Sequence, residues 1–281
     1  MTILAVAVGG RGLVDPESPV LHADDEALLR GRAAFETIRV YAGRPFRLDA
    51  HVERLAESAA RLALPVLDEA VVRHLAAEAI RGGGGGDGVL RLFHTPGREG
   101  QARPTSLAVL ATLPPGLEEL RDRGLRIVSL PTGLDPGIRG RAPWLLGGVK
   151  STSYAPNMAA AAEAKRRDVD DAVLLGAGEV VLEAPTANVW WRRGSTLFTP
   201  GLETGILAGI TRAVLLEGCR GLGYAVSEGI FVRAELAGSD EAFTSSSVRE
   251  VMPIAELDGR ALPRGPGAVE LQAALRAAAT R

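Results

Sequence analysis

The chain has 281 residues, of which 46% are hydrophobic and 23% charged, so it falls in the globular class and has room for one large domain or two of ordinary size. A formal net charge of −2, with no basic stripe interleaved with aromatics, argues against a nucleic-acid partner. The single cysteine, Cys219, excludes an internal disulfide and a cysteine metal cluster, and no apolar run reaches the roughly 18 residues of a membrane span.

Ile3 to Val8 is a short apolar stretch without a charged segment before it, which predicts a first strand rather than a signal peptide and the cytoplasm as compartment. Phe35 to Tyr41 predicts a strand, Ala42-Gly43 a turn, and Pro45 to Leu48 the return arm. Asp49 is the expected N-cap of a helix whose apolar face is Val52, Leu55, Ala59 and Leu62, with His51, Arg54, Ser58 and Arg61 opposite. A second helix is expected over residues 68–81. Strands follow at 89–94 and 106–112 around a polar loop. Pro114-Pro115-Gly116 marks the expected boundary, a linker near 114–118 between a small domain at 1–115 and a larger one at 116–281 that would carry Lys150.

The second unit begins with a strand at 126–130. Residues 131–143, rich in glycine and proline, are expected to be a long loop able to cover a site. A helix is predicted over 154–167, then a hairpin of 172–175 with 179–183, and a second hairpin of 188–192 with 196–199. A helix at 211–222, a short strand at 242–244 and a closing helix at 267–279 complete the chain. Hairpins set beside helices predict an α+β fold with mainly antiparallel or mixed sheets.

Of the 32 basic side chains only Lys150 and Lys165 are lysine. Lys165 stands in AEAKRRD, where arginine would serve as well. Lys150 follows an apolar run and Gly147-Gly148. Arginine keeps its charge and is a poor nucleophile, whereas a desolvated lysine can lose its proton and attack a carbonyl. Lys150 reads either as a Schiff-base lysine of the kind pyridoxal phosphate uses or as a surface lysine at a loop–helix junction.

Other segments bear on that choice. Gly209, Ile210 and Thr211 open a helix, and free amides with a positive dipole end there suit a phosphate, although an ordinary helix cap has the same sequence. Ser246 and Ser247, in Thr244-Ser245-Ser246-Ser247, offer more hydroxyls and amides, or only a polar turn. Arg54 offers a guanidinium for the same phosphate, or a solvated helix face. Glu183 ends an apolar strand, where a carboxylate wants a cationic partner such as a protonated pyridine nitrogen. Asn188 could bond backbone or cofactor. Arg141 and Tyr154 flank Lys150 as polar contacts. The four histidines have no metal-ligand spacing, so no metal is expected. The three tryptophans are expected to pack rather than to form a recognition platform.

The order of these elements resembles the class IV, fold-type IV, pyridoxal-phosphate-dependent aminotransferases, a family that includes D-amino-acid aminotransferase, branched-chain aminotransferase and aminodeoxychorismate lyase. The motifs that carry the resemblance are FETIRVYAGRPFRLDAHVERLAESA, VKSTSYAPNMAAAAEA, GEVVLEAPTANVWW, LFTPGLETGILAGITR and AFTSSSVREVMPIAELDG, spread over about residues 31–259. The resemblance implies a two-domain fold with the cofactor in the cleft and a homodimer. It implies that Lys150 forms the Schiff base and moves the proton, and that Glu183 pairs with the pyridine nitrogen. Arg54, in the HxxRL pattern, would hold the phosphate together with Ile210, Thr211, Ser246 and Ser247, and Tyr154 would contact the phenolic oxygen.

Substrate motifs depart from the family's patterns. Thr95-Pro96-Gly97 stands where D-amino-acid enzymes often carry Thr-Arg-Gly, and Val89-Leu90-Arg91 where branched-chain enzymes carry Tyr-x-Arg. Arg91, Arg98 or Arg141 is left to take a substrate carboxylate, with Phe35 nearby. The implied activity is a ping-pong transaminase moving an amino group between an amino acid, D-amino acids favoured, and a 2-oxo acid. The alternatives are an aminodeoxychorismate lyase, an L-branched-chain aminotransferase and a non-catalytic cofactor binder.

Overall fold

The computed structural model describes residues 1–101 and 103–279, which form two compact units. The first comprises Met1–Pro115 with Val149–Tyr154, and the second Gly116–Gly148 with Ala155–Arg281. The unit boundary falls at the Pro-Pro-Gly of the sequence. The segment bearing Lys150, however, packs with the first unit, whereas the sequence puts it in the second. The reason is backbone pairing: Ser151 bridges Ala34, Phe35 N–H donates to the Lys150 carbonyl at 3.0 Å, and Thr152 N–H donates to the Ala33 carbonyl at 2.8 Å.

The first unit contains β1 (Ile3–Val8), β2 (Gly12–Val14), α1 (Glu26–Arg30), β3 (Ala34–Tyr41), β4 (Arg44–Pro45), α2 (Leu48–Arg61), α3 (Glu69–Gly82), β5 (Gly88–Thr95) and β6 (Thr105–Ala111). Its strands make one antiparallel sheet in the order β2-β1-β6-β5-β3-β4. Strand alternation sends Ile38, Val40, Leu90, Leu92, Ala108 and Leu110 to one face, where they meet Val52, Leu55 and Ala59 of α2 and Val72, Leu75, Ala76 and Ala79 of α3. Each large aliphatic side chain so buried contributes about 1.5–3 kcal/mol.

α2 differs from its sequence reading at two points. The helix begins one residue before Asp49, with Arg47 at its N-cap in the left-handed region (φ 53°) and no side-chain cap; Asp49 lies in the first turn and pairs with Arg73. The polar face is not solvated either. His51, Arg54 and Ser58 are buried, and only Arg61 is exposed.

The second unit contains α4 (Leu117–Arg123), β7 (Leu125–Pro131), α5 (Ile138–Arg141), α6 (Ala155–Arg166), β8 (Asp171–Leu175), β9 (Asn188–Arg193), β10 (Thr196–Pro200), α7 (Ile210–Cys219), β11 (Ala225–Gly229), α8 (Arg233–Ala237), β12 (Glu241–Ser246), β13 (Glu250–Leu257), β14 (Arg260–Ala261) and α9 (Gly267–Ala279). These strands form a mixed eight-stranded sheet, β11-β10-β9-β12-β13-β7-β8, with β14 on β13. The pairs β10–β11, β13–β7 and β7–β8 are parallel and the rest antiparallel.

Residues 179–183 do not form the second strand of a hairpin. They meet β8 at an isolated bridge, Leu175 to Val181, with backbone bonds from Leu174 N–H to the Glu183 carbonyl and Leu182 N–H to the Leu174 carbonyl, but make no regular strand, and Ala177–Glu179 coils into a helical turn. The 131–143 stretch contains the short helix α5. Trp190 and Trp191 are fully buried, as packing residues should be, whereas Trp144 is 77% exposed, against the packing expected of it. Among the described residues no helix is long and apolar enough to cross a membrane.

Candidate active site

In the first unit the residues around Lys150 are organised by β3, whose neighbouring side chains Phe35 and Glu36 point to opposite faces of the sheet. Lys150 Nζ lies 4.4 Å from the centre of the Phe35 ring and 5.7 Å from that of Tyr154. Phe35 also stacks on Phe93 at 6.0 Å and meets Tyr154 edge-on at 5.4 Å. The amine therefore sits on an aromatic floor, where its charge gains from the ring faces and its reach is confined. The Lys150 backbone is fixed as well, its N–H donating to Ser58 Oγ at 3.2 Å.

Behind the sheet, Glu36 is fully buried and takes a forked pair of hydrogen bonds from Arg54. Nε donates to Oε1 and Nη2 to Oε2, both at 2.7 Å. His51 Nδ1 approaches Oε2 at 2.7 Å. Burial by itself would push the Glu36 carboxyl up, but the Arg54 charge and the hydrogen bonds from Arg54 and His51 outweigh it and hold the group at about 2. Burial pushes His51 down from its ordinary value, against the upward pull of Glu36.

The arginines proposed for the substrate carboxylate divide. Arg91 lies opposite Thr37 and Val109 on the face that carries Phe35 and Phe93. It is half-buried, its Nη2 lies 3.6 Å from Met1 Sδ, and no carboxylate pairs with it among the described residues. Arg98 is on the surface, forked onto Asp24 at 2.9 Å. Arg141 is exposed and pairs with Asp135 at 3.3 Å.

In the second unit the residues expected to bind an anion include Asn188 on β9 and Ser246 on β12. Asn188 stands opposite Ser245 in the β9–β12 register, which sets the Ser246-Ser247 turn beside it. Ser246 Oγ accepts the Arg249 N–H at 3.3 Å. Half-buried Glu183 accepts the Leu207 N–H on Oε2 at 3.1 Å, and Asn188 Nδ2 donates to the Leu207 carbonyl at 3.0 Å. These two side chains pin the chain just before α7. Gly209 is the N-cap, with an ordinary φ of −66°, and no side chain caps the helix. Glycine is needed here for space: a Cβ would collide with Asn188 Oδ1. Ile210 and buried Thr211 then present the opening turn of α7.

Taken separately, each unit carries groups that suit a phosphorylated carbonyl cofactor. The first has an amine on an apolar floor and a guanidinium fixed by Glu36. The second has an uncapped helix start with hydroxyls in the same unit and a half-buried carboxylate that accepts a backbone amide. Sequence reasoning missed Glu36, the role of His51 and Ser58, and the Leu207 backbone. Glu36 had a signal, since it is a charge on the apolar face of an alternating strand. Leu207 had none, because only its main chain acts.

The amino-transferase class IV family matches residues 33–257. The bifunctional aminodeoxychorismate lyase / D-amino acid transaminase of Mycobacterium tuberculosis is 33% identical over 270 residues, covering 90% of this chain and 91% of the relative. A hypothetical aminotransferase from Mycobacterium tuberculosis, solved in its alpha-ketoglutarate- and PMP-bound form, superposes with a TM-score of 0.93 at 32% identity over 98% of each chain. A fold IV transaminase from Curtobacterium pusillum gives 0.88 at 36% identity, covering 94% of this chain and 90% of the other.

Proposed function

Since the chain belongs to the class IV aminotransferases, with a fold-type IV architecture and pyridoxal phosphate as cofactor, we propose that it moves an amino group between a D-amino acid and a 2-oxo acid. When bound, pyridoxal phosphate supplies an aldehyde that accepts the amino group and a ring that draws electron density from the α-carbon. Lys150 would hold the cofactor through its aldehyde carbon and move the substrate proton, and Glu183 would pair with the pyridine nitrogen and favour its protonated form. Arg54, the α7 amides of Ile210 and Thr211, and Ser246 with Ser247 hold the phosphate. Asn188 and Gly209 keep the helix start open, and Tyr154 orients the phenolic side.

The observation that carries the substrate reading is Arg91. It shares a sheet face with Phe35, the floor of Lys150, and it is half-buried without a carboxylate of its own. A guanidinium so placed takes a substrate carboxylate while Lys150 addresses the amine end. The D preference is supported by the relative from Mycobacterium tuberculosis, whose name includes D-amino acid transaminase. A half-reaction panel of each D-amino acid against its L-enantiomer, on the parent and on Arg91→Leu, tests both points. D donors should convert the cofactor in the parent, and Arg91→Leu should lose donor use by a factor equivalent to roughly 2–5 kcal/mol while still binding cofactor. Clean L preference overturns the stereochemical reading, and unchanged kinetics in the variant removes Arg91.

A lyase activity is the second reading, favoured by the bifunctional relative and by an aminodeoxychorismate lyase from Bacillus subtilis that is 29% identical. Pyruvate release from aminodeoxychorismate without interconversion of the cofactor would support it. A homodimer completes the proposal, supported by the exposed Leu28 and Leu29 of α1 and tested by sedimentation.

A further inference from the structure

We propose that Glu36 is a positioning residue for cofactor binding: anchored on β3, it fixes the plane of Arg54 so that the guanidinium meets the phosphate group ready oriented. The inference rests on the reading of Arg54 as a phosphate holder and adds the residue through which that arginine is set.

Three observations carry it. The first is the cost of the arrangement. Glu36 is fully buried and the Arg54 side chain is only 9% exposed. A buried ion pair is commonly no more stabilising than apolar side chains of the same size, so stability alone does not account for it. The second is geometry. Both Glu36 oxygens are engaged by Arg54, and Oε2 also receives His51 Nδ1 at 2.7 Å and the Thr37 N–H at 3.3 Å. A forked pair fixes a guanidinium in a plane, and the extra donors fix the fork. The third is connection. Phe35, next to Glu36 on the same strand, hydrogen-bonds the Lys150 carbonyl and floors its amine. Ser58, one helical turn beyond Arg54, holds the Lys150 amide. One strand and one helix thus set both the arginine and the lysine, and Glu36 is the point at which the helix stripe His51-Arg54-Ser58 is pinned to the strand.

The alternative role for Glu36 makes the opposite prediction. A carboxylate that merely shares the arginine's charge opposes a phosphate, and removing it would tighten binding. A positioning carboxylate, when removed, loosens binding of the phosphorylated cofactor alone.

The test uses the full chain resolved from cofactor and measures the dissociation constants of pyridoxal phosphate and of pyridoxal, which lacks the phosphate. Their ratio reads the phosphate contribution. Glu36→Gln should shrink that ratio by about tenfold or more, a supporting-shell effect, with pyridoxal affinity little changed. Glu36→Asp, which keeps the charge but is one methylene short of the fork, should fall between parent and Glu36→Gln, and it stands in if the latter does not fold. Competition by inorganic phosphate should weaken in the same order. An unchanged or enlarged ratio in both variants, or equal weakening of both ligands, overturns the proposal. Arg54→Leu separates the two layers. If it leaves the ratio at the parent value, the phosphate reading of Arg54 fails; if it collapses the ratio while the Glu36 variants do not, only the positioning role fails.

Discussion

Each unit carries a group proposed to hold phosphate, and the two groups are built in different ways. In the first, a charged side chain, Arg54, is set by other ionisable side chains buried with it, Glu36 and His51. In the second, backbone amides at the start of α7 are set by a missing Cβ at Gly209 and by the Asn188 amide above it. The first device answers to protons and charge. The second answers to volume and is blind to pH. That difference predicts where each tolerates substitution and how each fails.

The largest effect should come from Lys150, to which the proposed function gives the covalent chemistry. Lys150→Ala should lower turnover by a factor of at least about 10²–10⁴, the span of a lost proton-transfer group, and abolish the visible band of the lysine-bound cofactor. The phosphate devices are left intact, so the variant should still retain pyridoxal phosphate better than pyridoxal. Persistent turnover would end the lysine assignment.

The comparison sharpens on acidification. The folded state holds Glu36 at about 2 against an ordinary 4.5, so its ionised form stabilises the fold above 4.5, and that contribution is lost as the pH falls from 4.5 towards 2. His51, depressed by burial, acts in the same direction from about its ordinary 6.5 downward, since the unfolded chain takes up that proton first. Denaturant midpoints measured from pH 6 to 3 should therefore fall less steeply for Glu36→Gln than for the parent. Parallel curves would show that the fold does not lower the Glu36 carboxyl, and a steeper fall for Glu36→Gln would show that burial raises it.

Gly209→Ala should act by volume alone. The new Cβ displaces Asn188, which overpacking prices at about 1–3 kcal/mol, with the same loss at every pH. Pairing it with Asn188→Ala should recover part of the loss, because the two changes share one collision. A pH-dependent defect, or strict additivity of the two, would break the contrast between the units.

Legibility in the sequence follows the same line. The main strands β1, β3, β5 and β6 and the helices α2, α3, α6 and α9 follow from periodicity and turn residues, and the structure has them within a residue or two; β2 and α1 were not expected, and the return arm expected at Pro45 to Leu48 is only Arg44–Pro45, because Leu48 already opens α2. Lys150 stood out because arginine serves almost everywhere else. The faces of α2 were harder to read. A stripe of His51, Arg54 and Ser58 looks solvated, and only a buried carboxylate on another strand, distant in sequence, makes it an inner face. The placement of Lys150 with the first unit was hidden because two backbone hydrogen bonds in one bridge decide it, and main-chain pairing leaves no side-chain signature. β13 and β11 were missed for a related cause: their pairing comes from strands far along the chain.

The smallest effect is expected where the same ion-pair chemistry occurs on the surface. Arg98 forks onto Asp24 at 2.9 Å, a geometry close to that of Arg54 on Glu36, yet both side chains are 44% exposed while Glu36 is fully buried. In water the attraction is screened and the side chains pay entropy to hold one arrangement. Arg98→Ala should therefore leave the melting temperature nearly unchanged and donor kinetics within about twofold of the parent's, like most surface changes away from special features. A large loss of amino-acid use, with cofactor affinity unchanged, would transfer the carboxylate role from Arg91 to the loop that carries Arg98. It would also show that exposure in a single chain is a poor guide to which guanidinium meets the substrate.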